Sequence, residues 1–380
     1  MMNYTYFGYL LLMFFIVSSY AVKSKHNWFA ILSFSLLLGF RGCGIDYPAY
    51  RSLFLYLFNS PYALFNPNYY QLDLGSVNFE WLYLILIKVL KAFSMPTFVF
   101  FILIAFLQIF FCDLFIQRFK DYRQKMLLAY FFFTSLLFVE CFNTMRQMVA
   151  FFMLINLLPY LASYNFKKYI GGNLLLYFVH SSTFVLLPIY FFIQKNIFAN
   201  EKKLIGIYVL CVALAKVLVQ YLQEFSYFLF TLLASFGLRA FSYMDTSNDA
   251  LNEQNITSNT KIGTIGYYLI LLIFIVLNGE QFKRKYDKLG VVLFNMTYIG
   301  FIVQNFVFNV GIQRFNYYFF YMSFIVLALI SYENLVRNKV SFSMKLYTLA
   351  VLILSFAWFS NSILAGAAGC APYQLCVDFK

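Results

Sequence analysis

The stretch TFVFFILIAFLQIFFCDLFIQRFKDYRQK, residues 97–125, decides the class of fold. Residues 97–117 form one apolar run, and a transmembrane helix needs about 20 such residues. Arg118, Lys120, Arg123 and Lys125 follow directly. Because Lys and Arg collect on the cytoplasmic side of a membrane, the stretch predicts a spanning helix whose carboxyl end is cytoplasmic.

The rest of the chain has the same character. Its 380 residues are 62% hydrophobic and 11% charged, whereas soluble domains carry about 25% charged residues. The apolar runs are long and continuous, which favours helices over the alternating strands of a barrel. The net charge of +13 lies in short clusters between these runs and is typical of topology signals. We predict an all-α polytopic membrane protein, one integral domain over residues 1–380, that lies in the bilayer and binds no nucleic acid.

We expect about 11–13 transmembrane helices from the lengths of these runs. The predicted spans cover residues 3–22, 28–40, 97–117, 126–142, 147–163, 170–193, 203–222, 225–241, 263–279, 289–308, 314–333 and 344–366. Residues 81–95 are short for a span and are predicted to lie at the interface or to re-enter, because counting them as a span moves every later basic cluster outside.

This topology fixes the sides of the loops. Residues 41–80 form a first periplasmic loop, which we expect to carry short helices, and residues 242–262 form a second. His26 lies beside Lys23 and Lys25 in a cytoplasmic cluster, and we expect it to be solvated at the interface. The unusual polar residues gather on the periplasmic face.

The first polar group begins at Arg41, where a span ends. Asp46, Tyr47 and Tyr50 follow it in the loop. Arg41 is placed to contact a lipid phosphate, and the alternative is that it pairs with Asp46 to clamp the loop.

The second group is Asn143, Arg146 and Gln147. Asn143 is placed as the N-cap of a helix, with Arg146 in the first turn. Backbone N–H groups at a helix start and a guanidinium fork together suit an anion. The alternative for Arg146 is an interfacial side chain that snorkels to the lipid headgroups.

Two further groups complete the set. His180-Ser181-Ser182 interrupts an apolar run, and broken helices at membrane depth line cavities. Arg314, with Tyr317 and Tyr318, opens a later span. Glu80 ends the first loop and could act as a base or neutralise an arginine.

Arginines at one membrane face, with a histidine or carboxylate nearby, suggest a particular chemistry. The guanidinium groups would hold a diphosphate leaving group in place of a metal ion. A nearby base would take the proton of an acceptor hydroxyl. The membrane setting suggests that the diphosphate belongs to a lipid, and no spacing of the six cysteines predicts a metal site.

The order of these motifs resembles the EpsG family of Wzy-type polysaccharide polymerases. The similar motifs are R-x4-D-Y-x-x-Y from Arg41, the loop-ending Glu80, N-x-x-R-Q from Asn143, the His180 motif and R-F-x-Y-Y from Arg314. The resemblance extends over about residues 36–333. Cys43 departs from the pattern, as does the absence of a proline just after Glu80.

The resemblance implies a GT-C-like, metal-independent membrane glycosyltransferase that needs no cofactor. It implies donor and acceptor oligosaccharides linked to undecaprenyl diphosphate, joined at the periplasmic face of a bacterial inner membrane for O-antigen, capsule or exopolysaccharide, with a chain-length regulator as a further partner. Carried over, Arg146 and Arg314 contact the donor diphosphate, and His180 or Asp46 is the acceptor base. Arg41 and Asp46 order the outer loop and touch lipid phosphate or sugar. The remaining substrate contacts are assigned to Tyr47, Tyr50, Glu80, Asn143, Gln147, Tyr317 and Tyr318.

Two other classes share some of these features. A polysaccharide flippase has a similar number of spans, but it needs cavity-lining charges through the whole membrane depth. An O-antigen ligase also resembles the pattern in its arginines and histidine, but such enzymes usually carry their largest loop late in the chain. Here the first loop, 41–80, is the longer one.

Overall fold

The computed structural model describes residues 26–42, 47–56, 80–198, 203–215, 217, 218, 221, 224, 262–307, 310–336 and 340–365. Regular structure in these residues is helical, without strands. The fold class of an all-α polytopic membrane protein is thereby confirmed. The predicted spans 3–22 and 225–241, the residues Cys43 and Asp46, and most of both predicted periplasmic loops lie outside the described residues.

The helices are numbered in chain order. The first nine are α1 (Trp28–Gly39), α2 (Tyr47–Tyr56), α3 (Trp81–Ala92), α4 (Thr97–Ile116), α5 (Tyr122–Leu136), α6 (Glu140–Asn143), α7 (Met145–Ile155), α8 (Leu158–Ala162) and α9 (Phe166–Tyr177). Short 3-10 helices then cover Ser181–Leu186 and Pro188–Phe191. The remaining helices are α10 (Lys203–Ala215), α11 (Ile262–Leu277), α12 (Gly279–Gln304), α13 (Val310–Phe320), α14 (Ser323–Val336) and α15 (Phe342–Leu364).

Four helical stretches are long and apolar enough to cross a membrane. They are Thr97–Ile116, Gly279–Gln304, Gln313–Val336 and Phe342–Leu364. Helix α3 has 12 residues, fewer than the roughly 20 that a span requires, and α2 is a short helix within the first loop, as predicted. The total of 11–13 spans and the GT-C-like arrangement stay predictions.

The structure divides the predicted spans 126–142, 147–163 and 314–333, the last of them between α13 and α14. The run 126–142 ends as a helix at Leu136, and the run 147–163 is divided after Ile155. The second break follows from side-chain chemistry, since the Asn156 amide donates to the carbonyls of Phe111 and Phe152 at 2.8 and 3.0 Å. The predicted interruption of 170–193 at His180 is confirmed, because α9 ends at Tyr177 and a 3-10 helix follows.

The chain packs as two compact units. The first comprises residues 1–157, 170–184 and 355–380, and the second 158–169 and 185–354. The first is built around α4, against which α1 and α7 pack. A Cβ at Gly39 of α1 would lie 2.7 Å from the Cα of Ile102, so only glycine permits this close approach.

The second unit is organised on α12. A Cβ at Gly300 would lie 2.4 Å from the Cα of Phe320, which shows how closely α12 and α13 pack. The Asn295 side chain of α12 donates to the carbonyls of Ile193 and Lys195, both at 2.7 Å. Buried amides of this kind fix the loop after the 3-10 helices onto α12.

The expectation for His26 is wrong. Its Nδ1 lies 2.8 Å from Oδ2 of Asp113, and its side chain is 21% exposed. Asp113, on α4, is fully buried and also accepts from Tyr130 at 3.2 Å and from Gln117. A buried carboxylate requires such donors, and His26 supplies one of them.

Candidate functional site

The turn between α6 and α7 positions Arg146. The predicted N-cap is wrong by one residue, since Asn143 ends α6 and Thr144 is the N-cap of α7. The Thr144 hydroxyl does not cap α7 but donates to the Glu140 carbonyl at 3.1 Å. Arg146 occupies the second position of α7, in its first turn, as predicted.

The Arg146 side chain is held inside the first unit. It is buried, its Nη1 forms an ion pair with Oε2 of Glu80, and its Nε donates to the Tyr50 hydroxyl at 3.0 Å. The Tyr83 hydroxyl donates to the Arg146 carbonyl at 3.3 Å. These contacts show that Arg146 does not snorkel to the headgroups in this structure, and that Glu80 neutralises it.

Glu80 connects this arginine to His180. It directly precedes α3, with one carboxylate oxygen on Arg146. The other oxygen, Oε1, lies 3.9 Å from Nδ1 of His180. The side chains of Glu80 and His180 are each 14% exposed. The carboxylate therefore lies between a guanidinium and an imidazole.

His180 lies at the break between α9 and the 3-10 helix. The Ser182 hydroxyl is 2.8 Å from its Nδ1, and the Ser182 backbone N–H donates to the same nitrogen at 3.3 Å. A nitrogen that accepts a hydrogen bond carries its lone pair, so this geometry assigns the proton of the neutral ring to Nε2.

Arg41 has a different place from the one predicted. It is fully buried, its Nη1 donates to the Cys141 carbonyl at 3.3 Å, and its Nη2 contacts the Met145 sulfur. Its guanidinium carbon lies 4.8 Å from the ring centre of Phe142. The contact with lipid phosphate or sugar is therefore replaced by contacts inside the protein. Arg41 therefore holds the α6–α7 turn, which precedes Arg146.

The other predicted contacts divide into two sets. In the first unit Tyr47 is buried and stacks on Phe101 at 5.1 Å, Gln147 is buried, and Asn143 is half-buried. Their burial places Tyr47 and Gln147 in the packing of the unit. Of the predicted set, the first unit brings Arg146, Glu80, His180 and Tyr50 together.

Arg314, Tyr317 and Tyr318 belong to the second unit, on α13. Arg314 is half-buried, and both tyrosines are buried. The neighbouring Asn316 amide donates to Gln304 at 2.7 Å and to the Gly300 carbonyl at 3.1 Å, which fixes this face of α13 against α12.

Two residues of the site were not predicted. Tyr83 binds the Arg146 carbonyl, and Gln108 donates to the Met145 carbonyl at 3.0 Å. Gln108 carries a signal in the sequence, because it is an amide in the middle of the apolar run 97–117. Tyr83 does not stand out in a chain with 32 tyrosines.

Among the residues that the structure describes, no group of three or more His, Cys, Asp or Glu side chains is arranged to hold a metal ion. The polar centre of the first unit is instead a guanidinium, a carboxylate and an imidazole. Such a set can bind an anion and move a proton.

A sequence model described as the EpsG family matches residues 25–375, nearly the whole chain. The match includes both units and every described residue of the site. Neither a protein of curated function nor a solved structure matches the chain.

Proposed function

The chain belongs to the EpsG family of Wzy-like polysaccharide polymerases, and from this premise we propose its substrate and site. The substrates are oligosaccharide repeats linked to undecaprenyl diphosphate, and the enzyme joins them at the periplasmic face of the inner membrane. The growing chain is transferred from one carrier to the non-reducing end of a repeat on another.

The observation that carries this proposal is the cluster of Arg146, Glu80 and His180. It combines a buried fork for phosphate oxygens with a proton acceptor whose side chain is 14% exposed. Glycosyl transfer from a lipid diphosphate needs these two functions. A flippase requires the anion site but has no use for a base beside it.

The proposed reaction breaks the bond between the anomeric carbon of the donor sugar and the diphosphate oxygen. The bonding electrons stay on the diphosphate, where the Arg146 guanidinium offsets the developing charge. The acceptor hydroxyl oxygen forms the new bond to the anomeric carbon, and its proton passes to the His180 imidazole. The contact of Arg314 with a donor diphosphate, which the family resemblance implies, stays a prediction.

The geometry also favours one of the two bases that the sequence left open. His180 lies in the cluster with Glu80 beside it, and an adjacent carboxylate stabilises the imidazolium that forms. Asp46 lies outside the described residues. The proposal therefore assigns the proton transfer to His180.

The experiment is a surface-polysaccharide gel from a strain that lacks this gene. We expect the ladder of long chains to disappear while a band with a single repeat remains. The wild-type gene should restore the ladder, whereas Arg146→Ala and Arg314→Ala should not, although both proteins are inserted in the membrane. Loss of the single-repeat band as well would indicate a flippase or ligase and contradict the proposal.

A further inference from the structure

We propose that Glu80 is a resident anion that the donor diphosphate displaces from Arg146, and that the displaced carboxylate moves onto His180 and changes its tautomer. The inference rests on the proposed function, because it takes a diphosphate as the ligand of Arg146. Glu80 is then a positioning residue, because binding of the donor determines, through Glu80, which nitrogen of His180 carries the lone pair.

The geometry requires only a small movement. Oε2 of Glu80 is paired with Arg146, and Oε1 already lies 3.9 Å from Nδ1 of His180. A hydrogen bond to that nitrogen needs a separation of about 2.8 Å, so the carboxylate has to move about 1 Å.

Charge favours the exchange. A diphosphate has more oxygen acceptors and more negative charge than one carboxylate, and a guanidinium fork binds phosphate oxygens in bidentate fashion. The Nε of Arg146 keeps its partner, the Tyr50 hydroxyl at 3.0 Å. The arginine therefore remains in place while the anion on its Nη1 is replaced.

The consequence for His180 follows from its hydrogen bonds. In the resting arrangement the Ser182 N–H donates to Nδ1, so the proton of the neutral ring is on Nε2. That nitrogen then donates a hydrogen bond and cannot take a proton. A carboxylate on Nδ1 accepts only from an N–H, so the approach of Glu80 places the proton on Nδ1, and the Ser182 N–H loses its acceptor there.

Tautomer exchange leaves the number of protons on the neutral ring unchanged. Nε2 releases one proton to solvent and Nδ1 takes one up. The lone pair now lies on Nε2, where it can accept the proton of the acceptor hydroxyl. The base therefore becomes competent only when the donor occupies Arg146, which limits unproductive proton transfer in the empty site.

The tautomer can be observed directly because the chain has only two histidines. The full-length protein, labelled with 15N-histidine and held in lipid nanodiscs in alkaline buffer, is titrated with inorganic pyrophosphate. We expect the Nδ1 resonance of His180, assigned by its loss in His180→Asn, to change from an unprotonated to a protonated nitrogen. The His26 resonances should not change. If the Nδ1 resonance of His180 stayed that of an unprotonated nitrogen at saturating pyrophosphate, the proposed change of tautomer would be wrong.

Binding of pyrophosphate provides the second measurement. Glu80→Gln should bind pyrophosphate about tenfold more tightly than wild type, because most wild-type molecules have Arg146 occupied by the carboxylate. The matched control is Glu280→Gln, since Glu280 pairs with Arg284 at 3.2 Å on an exposed face and should bind like wild type. Weaker or equal binding by Glu80→Gln, or no binding to either protein, would overturn the inference.

These results are separable from the proposed function. If the deletion strain loses its ladder but pyrophosphate does not change the His180 tautomer, the proposed function is supported and the proposed change of tautomer is wrong. If the tautomer responds but the strain keeps its ladder, the anion exchange stands and the assignment as polymerase is wrong. In the polymerisation reaction Glu80→Gln should lower kcat without raising the KM for the donor, whereas loss of a direct donor contact would raise KM.

Discussion

The first unit contains two pairs of a carboxylate and a histidine, and they differ in how completely each carboxylate is bound. Asp113 has no exposed side-chain surface, and its oxygens accept from His26, Gln117, Tyr130 and the Asn27 backbone N–H. Glu80 is 14% exposed, with one oxygen on Arg146 and the other 3.9 Å from His180. Both pairs consist of a carboxylate and an imidazole, but the surroundings of the two pairs differ.

This difference shows how a carboxylate–histidine pair that stabilises the fold can be distinguished from one that is available for a reaction. A buried carboxylate that accepts from four donors stabilises the packing of α4, and moving it would leave those donors unsatisfied. A carboxylate that lies near two groups and is partly exposed to solvent can exchange one partner for the other with a small change in free energy. Burial and the number of donors therefore assign Asp113 to the packing of the fold, and they distinguish it from Glu80, for which we propose a role in the reaction.

The largest expected effect is that of Arg146→Ala on polymerisation. Removing the guanidinium should lower the rate by about 10²–10³-fold, the usual effect of deleting one charge-stabilising donor. Arg146→Lys should restore only part of the rate, because an ammonium keeps the charge but not the fork. The measurement is polymer formed per molecule of inserted protein.

The matched control is Arg284→Ala. Arg284 is also paired with a glutamate, Glu280, but its side chain is 83% exposed. An exposed pair of this kind contributes little, so polymerisation should be unchanged. Equal losses in Arg146→Ala and Arg284→Ala would refute the distinction between the two arginines.

The two histidines provide the next test of the comparison. His180→Asn should lower the rate by about 10²-fold, which lies within the usual contribution of a general base, at wild-type abundance in the membrane. His26→Asn should lower abundance and thermal stability, while each remaining molecule keeps its activity. If His26→Asn lowered the rate per molecule as strongly as His180→Asn, the assignment of Asp113 to the fold alone would be wrong.

The sequence predicts the fold class and part of the site for physical reasons. Apolar runs of span length predict membrane helices without any tertiary information, as the 20-residue α4 illustrates. The break at His180 can be predicted from the sequence because His-Ser-Ser interrupts such a run. Arg146 in a first helical turn also follows from local pattern, although the cap is Thr144 and not Asn143, a shift within the normal uncertainty of helix ends.

The pairings could not be derived in this way. Glu80 and Arg146 are 66 residues apart, and His26 and Asp113 are 87 residues apart. The sequence allowed Glu80 to be a base or to neutralise an arginine, and the fold decides for the pair with Arg146. Arg41 was misplaced for the same reason, since the end of a span does not reveal that its side chain turns inward towards Cys141.

A smaller effect, on stability, is expected for Asp113→Asn. The amide turns an NH2 group towards donors that a carboxylate accepts, and the free energy of unfolding should fall by about 1.5–3 kcal/mol, as for lost hydrogen bonds to a charged group. The measurement is the thermal unfolding midpoint of the purified full-length protein. Activity per folded molecule should be unchanged.

Asp121→Asn is the control for this substitution. Asp121 is exposed, its side chain makes no capping bond to α5, and its φ of 57° is one that asparagine tolerates. Its unfolding midpoint should equal that of wild type. A midpoint for Asp113→Asn as high as that of Asp121→Asn would mean that the buried cluster does not stabilise the fold.

The smallest effect is expected for Ser182→Ala, which removes one partner of His180 and leaves the rest of the cluster intact. The hydroxyl lies 2.8 Å from Nδ1, whereas the backbone N–H of the same residue, at 3.3 Å, is retained. One hydrogen bond of this kind contributes about 1 kcal/mol, and in the resting arrangement it favours the tautomer that cannot take a proton at Nε2, so the rate should rise by about fivefold at most. Ser181→Ala, one residue earlier in the same 3-10 helix, should leave the rate unchanged. If both variants matched wild type, the backbone N–H of Ser182 alone would fix the lone pair on Nδ1. The comparison with Asp113 would then involve only Glu80 and Arg146.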